Sequence, residues 1–286
     1  MKNFTLKVFL VAMVMSTAGL ALCKAQTAPF SENNLVFLCF GQSNMEGNAQ
    51  PESRDKTGVS YRFQKMYAAN SDGANMGKWA SATPPLCRRN TGLTPVDYFG
   101  RTMVEYLPKK VRVGIINVSV GGCKIEAFMK DRAQEYGDNA AGWMKPWIAP
   151  YDNNCYQRLL ETAKEAQKYG VIKGFLMHQG ESNINEQDWP EKVKYVYETL
   201  IEDLGLNAKD IPLLAGEVVN ADVNGRSASM NEIIARLPET LPNSYVISSK
   251  GVTCAPDHLH FDAAGYREMG RRYATQILSL MGIEVK

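Results

Sequence analysis

The chain has 286 residues, 45% of them hydrophobic, with 32 lysines and arginines against 30 aspartates and glutamates for a formal net charge of +2. That apolar content excludes an intrinsically disordered chain, and six thinly spread cysteines exclude a disulfide scaffold. The slight basicity belongs to residues 1–25, where Lys2, Lys7 and Lys24 lie with no acid; without them the +2 becomes −1, which gives no electrostatic reason to expect nucleic acid or an anionic membrane as partner.

In chain order, Lys2 and Lys7 precede an apolar run from Val8 to Leu22, shorter than the roughly 20 residues of a membrane-spanning helix. It predicts a secretory signal peptide cleaved after Ala25, a single mature domain from 26 to 286, and a secreted or periplasmic protein with no membrane insertion after cleavage. A lipoprotein anchor on Cys23 fits less well, because Leu22 stands where lipid attachment wants a small residue.

Leu35 to Phe40 is a continuous apolar run, the pattern of a buried parallel strand, with Cys39 as a small core residue. Directly after it comes GQSNMEG, Gly41 to Gly47, which places Ser43 on a strand-to-helix turn where a hydroxyl can stand clear of the sheet and act as a nucleophile; serine at such a turn also serves simply to cap a helix. Residues 47–95 show no clear periodicity. Val96 to Tyr106 then predicts a helix and Val111 to Val118 a second strand, ending in Asn117-Val118-Ser119-Val120-Gly121-Gly122. Glycine there lets a backbone N–H approach a bound carbonyl oxygen, with Gly122 favoured over Gly121. A second aperiodic stretch, 123–152, follows.

Tyr156 to Tyr169 predicts a helix and Val171 to Met177 a third strand, which ends in His178-Gln179-Gly180-Glu181-Ser182-Asn183 and puts a side-chain amide donor, Gln179, at the same sheet edge. Glu191 to Leu204, Ser229 to Leu237 and Ala263 to Met281 read as helices, Ile211 to Val218 and Tyr245 to Ser248 as strands. The alternation predicts a three-layer α/β/α sandwich, flavodoxin-like, around a mainly parallel five-stranded sheet. Ligands bind such sheets at the C-terminal ends of the strands.

Before the last helix stands Asp257-His258-Leu259-His260. One turn can bring Asp257 and His260 to the same side, so that the carboxylate accepts from one imidazole nitrogen while the other faces a serine hydroxyl. His258 is worse placed and reads as a packing histidine. His178 is the remaining histidine, and the absence of HExxH and of paired CxxC argues against a metal site, as the absence of GxGxxG and GxxxxGK argues against a nucleotide. No cofactor is expected. Of the cysteines beyond the leader, Cys87, Cys123 and Cys155 lie in or near loops and Cys254 near the end, an odd set with Cys39 that allows one bridge without choosing its pair.

GQSNM after the first strand, the glycine pair after the second, HQGES after the third and DHLH before the last helix resemble the SGNH hydrolases, and more narrowly carbohydrate esterase family 6 and the sialate O-acetylesterase group, over Leu35 to Tyr273. The resemblance implies an SGNH fold and O-deacetylation of sugars by a serine esterase. It makes Ser43 the nucleophile, Asp257 and His260 the other triad members, the Ser43 and Gly122 N–H groups with Gln179 the oxyanion donors, and Asn44 and Glu181 supporting residues. Gln179 replaces the asparagine of the superfamily's name, and Phe128 stands where tryptophan is common in relatives. The implied partner is an acetylated oligo- or polysaccharide: xylan or a similar plant polymer first, O-acetylated sialic acid second.

Two rivals remain. Ser119 in Asn-Val-Ser-Val-Gly comes one substitution short of a GxSxG elbow, although this leaves GQSNM and HQGES without a purpose. A non-catalytic sugar-binding relative would use Trp79, Trp143, Trp147 and Trp189 as stacking faces, residues that more ordinarily pack under long loops.

Overall fold

The computed structural model describes residues 30–285, so the signal peptide and cleavage site expected from the sequence, and Cys23, lie outside the described residues. Among the described residues seven strands form one sheet: β1 (Asn34–Gly41), β2 (Phe63–Met66), β3 (Trp79–Ser81), β4 (Arg112–Ser119), β5 (Val171–His178), β6 (Leu213–Gly216) and β7 (Ser244–Ile247), in the order β3-β2-β4-β1-β5-β6-β7. All neighbours are parallel except β3, which runs antiparallel to β2.

Ten α-helices accompany them among the described residues. In order they are α1 (Ser43–Glu46), α2 (Ser53–Lys56), α3 (Pro95–Tyr106), α4 (Ala133–Asp138), α5 (Lys145–Ile148), α6 (Cys155–Gln167), α7 (Trp189–Asp203), α8 (Met230–Ile234), α9 (Leu237–Thr240) and α10 (Ala263–Leu280).

Alternate residues of β1 feed opposite cores, as a strand's two-residue period requires. Val36, Leu38 and Phe40 join Leu159 of α6 and Val193 of α7 on one face, whereas Leu35, Phe37 and Cys39 join Phe99 of α3 and Met269 of α10 on the other. That is the three-layer arrangement expected, with β1 at the centre. Its neighbours β4 and β5 lie on either side, so the strand order diverges at β1 and opens a crevice at the C-terminal ends of these three strands.

The sheet has seven strands rather than the five expected from sequence. β2 and β3 extend one edge and are only four and three residues long. The Phe-Gln-Lys-Met sequence of β2 hides its strand character, because buried Lys65 carries its charge to the segment after β3, donating to the carbonyls of Thr83 at 3.1 Å and Pro85 at 2.5 Å. The helix expected from Ser229 to Leu237 is divided into α8 and α9, with a proline in the first turn of the second. β6 is shorter than expected, Leu213–Gly216.

Cys39, Cys87, Cys123, Cys155 and Cys254 are all free thiols, so the bridge that the sequence allowed is not formed. Cys87 instead shares a hydrogen bond with the Tyr151 hydroxyl at 3.2 Å, and Cys123 donates to the Gly41 carbonyl at 3.5 Å. Among the described residues no helix is long and apolar enough to cross a membrane.

Candidate active site

The Ser43 turn is clamped from both sides of β1. The Gln42 N–H donates to the His178 carbonyl at the end of β5, and the Val120 N–H after β4 donates to the Gly41 carbonyl, each at 3.1 Å. A side chain at position 41 has no room: its Cβ would lie 2.1 Å from the His178 carbonyl oxygen, and φ is +154°. Two residues beyond Ser43 in α1, the Met45 carbonyl accepts from Thr94 Oγ1 at 2.8 Å and Asn117 Nδ2 at 2.9 Å. The turn is therefore fixed by three separate segments of chain.

On this turn Ser43 Oγ lies 2.8 Å from His260 Nε2, and His260 Nδ1 lies 2.7 Å from Asp257 Oδ2. The other carboxylate oxygen of Asp257 accepts the N–H groups of Leu259 at 2.9 Å and His260 at 3.0 Å. Partial desolvation pushes the Asp257 carboxyl up, but the His260 N–H, the imidazole and the Leu259 N–H outweigh it and hold the group down to about 2. It is an anion at every pH at which an imidazole titrates.

Asn44 ties this loop to the turn. Its Nδ2 donates to Glu181 Oε1 at 2.5 Å and to the Leu259 carbonyl at 3.0 Å, while its Oδ1 accepts from the Phe261 N–H at 3.2 Å and the Tyr266 hydroxyl at 2.8 Å. Both ends of the buried amide are thus used to set the distance between Ser43 and His260.

His258 takes a left-handed conformation, φ +55°, and turns its ring away to the Val223 carbonyl, 2.9 Å from Nδ1. His178 is buried against Tyr273, with Nδ1 3.2 Å from the hydroxyl, and desolvation pushes it down to about 3, so it stays neutral. Ser119 is buried at the end of β4 and donates to Asn117 Oδ1 at 2.7 Å, and among the described residues no histidine bonds to it.

A cleft of about 690 Å³ opens over Ser43 and His260, within the range of ordinary small-molecule sites. Ser43, Gly121, Gly122 and Glu181 line it. Among the described residues, no acceptor pairs with the backbone N–H of Ser43 or of Gly122. Gly122 holds φ +71°, and a Cβ there would meet Trp143 Cη2 at 2.6 Å, so the position suits glycine on both counts.

Gln179 does not join this group. Its Nε2 donates to Asn183 Oδ1 at 2.6 Å and Gln42 Oε1 at 3.2 Å, its Oε1 accepts the indole N–H of Trp189 at 2.5 Å, and its side chain is absent from the cleft wall. The amide is spent on joining the end of β5 to α7. Glu181 does reach the cleft, and its second oxygen, Oε2, has no partner among the described residues; burial pushes this carboxyl up.

Sequence reasoning missed the opposite wall. Arg88 Nη2 grips Glu46 Oε1 at 2.6 Å, both nearly buried, and the Arg88 guanidinium stands over the Trp147 ring. Glu46 lay in view within GQSNMEG, but Arg88 comes from the aperiodic stretch 47–95, where nothing in the pattern singles it out. Of the four tryptophans, Trp79 packs on Tyr169 and Trp189 is buried, whereas Trp147 is exposed at the cleft and Trp143 is exposed beside it. Phe128, which stands where tryptophan is common in relatives, is buried against Phe40. No group of three or more His, Cys, Asp or Glu among the described residues is placed to hold a metal ion.

A serine oxygen beside an imidazole, a carboxylate holding that imidazole, and two N–H groups without an acceptor at the mouth of a cleft can together perform acyl transfer. The fold is similar to that of a protein from Arabidopsis thaliana, with a TM-score of 0.66 at 18% identity, covering 86% of this chain and 98% of that one. It is also similar to NanS, with a TM-score of 0.63 at 16% identity over 89% and 98%. A carbohydrate acetylesterase from Xanthomonas citri aligns with a TM-score of 0.60 at 20% identity, covering 85% of this chain and 55% of that one. Residues 33–279 match the family described as "Carbohydrate esterase, sialic acid-specific acetylesterase", so the chain belongs to that family and is an ester hydrolase.

Proposed function

We propose that Ser43, His260 and Asp257 form the catalytic triad of a carbohydrate O-acetylesterase. The observation that carries this reading is the hydrogen-bonded chain from Ser43 Oγ through His260 to Asp257. His260 Nε2 takes the Ser43 proton as Oγ bonds to the acetyl carbonyl carbon. The resulting oxyanion is held by the Ser43 and Gly122 N–H groups. Collapse breaks the bond to the sugar oxygen, which receives the proton from His260; water, deprotonated in its turn by His260, then adds to the acetyl-serine, and acetate leaves as Ser43 regains its proton.

For the substrate we favour a neutral acetylated sugar, such as the acetylated xylose units of xylan. Arg88 is the one arginine or lysine lining the cleft, and its charge is already engaged by Glu46, while Glu181 adds a second carboxyl. A sugar carboxylate would meet no free cation there, and its desolvation would go uncompensated. The family's description favours a second reading, an O-acetylated sialic acid. Acetate release measured side by side on acetylated xylan, acetylated pectin and O-acetylated sialic acid separates the two. Release from xylan supports the neutral reading, release from sialic acid alone replaces it, and release from none of them overturns both.

A further inference from the structure

A second cleft, of about 500 Å³, adjoins the first. Gly122 and Ser182 line both, and Ser182 Oγ donates to the Gly122 carbonyl at 2.9 Å, so this contact is the ridge between them. Each side of the ridge has its own tryptophan: Trp147, 38% exposed, faces the reaction cleft, and Trp143, 56% exposed, lines its neighbour. Their rings stand edge to face with centroids 5.5 Å apart.

Leaving two large aromatic rings in water forgoes the stabilisation that burying them would bring, and apolar patches of this kind, rimmed by polar groups, mark sites where something binds. The rim of the second cleft fixes the chemistry of the occupant. Lys124 and Arg132 are matched there by Glu126 and Glu135, and Lys124 is further held by Glu186 at 2.7 Å and Glu126 by Lys192 at 2.9 Å. The cleft thus suits a neutral ligand with one apolar face and a periphery of hydroxyls, which is the description of a sugar ring. Ser43, His260 and Asp257 are not in its wall, so it is suited to hold a ligand and not to react with one.

We propose that the second cleft is a subsite for the sugar unit next to the acetylated one, with Trp143 as its stacking face, so that the enzyme acts on acetylated oligosaccharide chains in preference to single sugars. The proposal rests on the neutral carbohydrate-esterase reading given above. Because the reacting unit lies beyond the Gly122–Ser182 ridge, loss of Trp143 weakens the hold on the neighbouring unit and not the hold on the reacting one. The contact between Trp143 and Gly122 can disturb the reaction itself, and a ratio of substrates removes that effect.

The test compares kcat/KM for an acetylated xylo-oligosaccharide with kcat/KM for acetylated methyl xyloside, in the wild type, Trp143→Ala, Trp143→Phe and Asn139→Ala, with 4-nitrophenyl acetate confirming that each protein is competent. The expected wild-type preference for the oligosaccharide is about tenfold or more, the size of one good aromatic contact. Trp143→Ala should bring the ratio close to one, Trp143→Phe should keep most of it, and exposed Asn139, on the same wall, should give a smaller loss when shortened. An unchanged ratio in Trp143→Ala, or a wild type that treats both sugars alike, overturns the subsite and leaves the esterase reading standing. A wild type that cleaves the nitrophenyl ester but neither sugar overturns the neutral-sugar reading, and the subsite with it.

Discussion

Around Ser43 the structure spends almost every polar atom: Asn44 makes four hydrogen bonds, Asp257 accepts three, and the turn itself is pinned by β4, β5 and the segment before α3. Across the cleft, the segment carrying Trp143 and Trp147 leaves two large rings exposed on a loop with one short helix. The contrast follows from what each region has to do. Attack on a carbonyl tolerates little error in distance or angle, so its residues sit on strand ends and buried networks. Holding one more unit of a chain needs area and shape, which a loop on a rigid scaffold provides.

If the first region is a catalytic machine, its variants should fail in order of how directly they touch the reaction. Ser43→Ala removes the attacking oxygen and should lower kcat/KM on 4-nitrophenyl acetate by roughly 10⁴–10⁶-fold, with circular dichroism unchanged. Asp257→Asn keeps the shape but removes the charge that holds the imidazole, and should cost about 10⁴-fold at neutral pH. His258→Asn, made beside it, should stay within a few-fold, because that ring faces Val223. The reverse ranking would mean that the base has been misassigned. Since the Asp257 carboxyl is held down to about 2, it keeps its charge through the acid limb, and kcat/KM of the wild type should fall there in a single-proton step. A two-proton step would place a second titrating group in the mechanism.

A smaller effect distinguishes the two oxyanion candidates. Gly122→Ala forces a side chain into a left-handed position already covered by Trp143, and the displaced N–H should cost about 10²–10³-fold in kcat. Gln179→Ala should act on stability instead, by about 1–3 kcal/mol, since it strands the buried Trp189 indole N–H. Chemical denaturation measured alongside kcat checks this pair. A Gln179→Ala enzyme of normal stability that loses as much rate as Gly122→Ala would restore the amide as a donor to the oxyanion.

The part of the molecule that the sequence made legible is the part governed by local pattern. Continuous apolar runs marked β1, β4 and β5, and short blocks at their ends marked Ser43, Gly122 and Glu181, because in a parallel sheet the residue after a strand is carried to the crevice by the strand itself. Asp257 and His260 were legible because three residues suffice to bring them together. Gln179 shows where this reasoning stops: its position at a strand end was right, but the direction of its amide depends on Trp189, ten residues on, and on Gln42, far back in the chain. Arg88 was hidden for the same reason, its partner Glu46 being 42 residues away with no periodic pattern between them. β2 and β3 were too short and too polar to register, and Trp143 and Trp147 could be told from the buried Trp79 and Trp189 only by which of them the fold covers.

The central claim is that Ser43, and not another serine at this sheet edge, is the nucleophile. A serine-directed phosphonate followed by peptide mass spectrometry tests it most directly. The account predicts one adduct per chain, on Ser43, formed at a rate that falls with Asp257→Asn and absent in Ser43→Ala. An adduct on Ser119, or labelling that persists undiminished in Ser43→Ala, would contradict it.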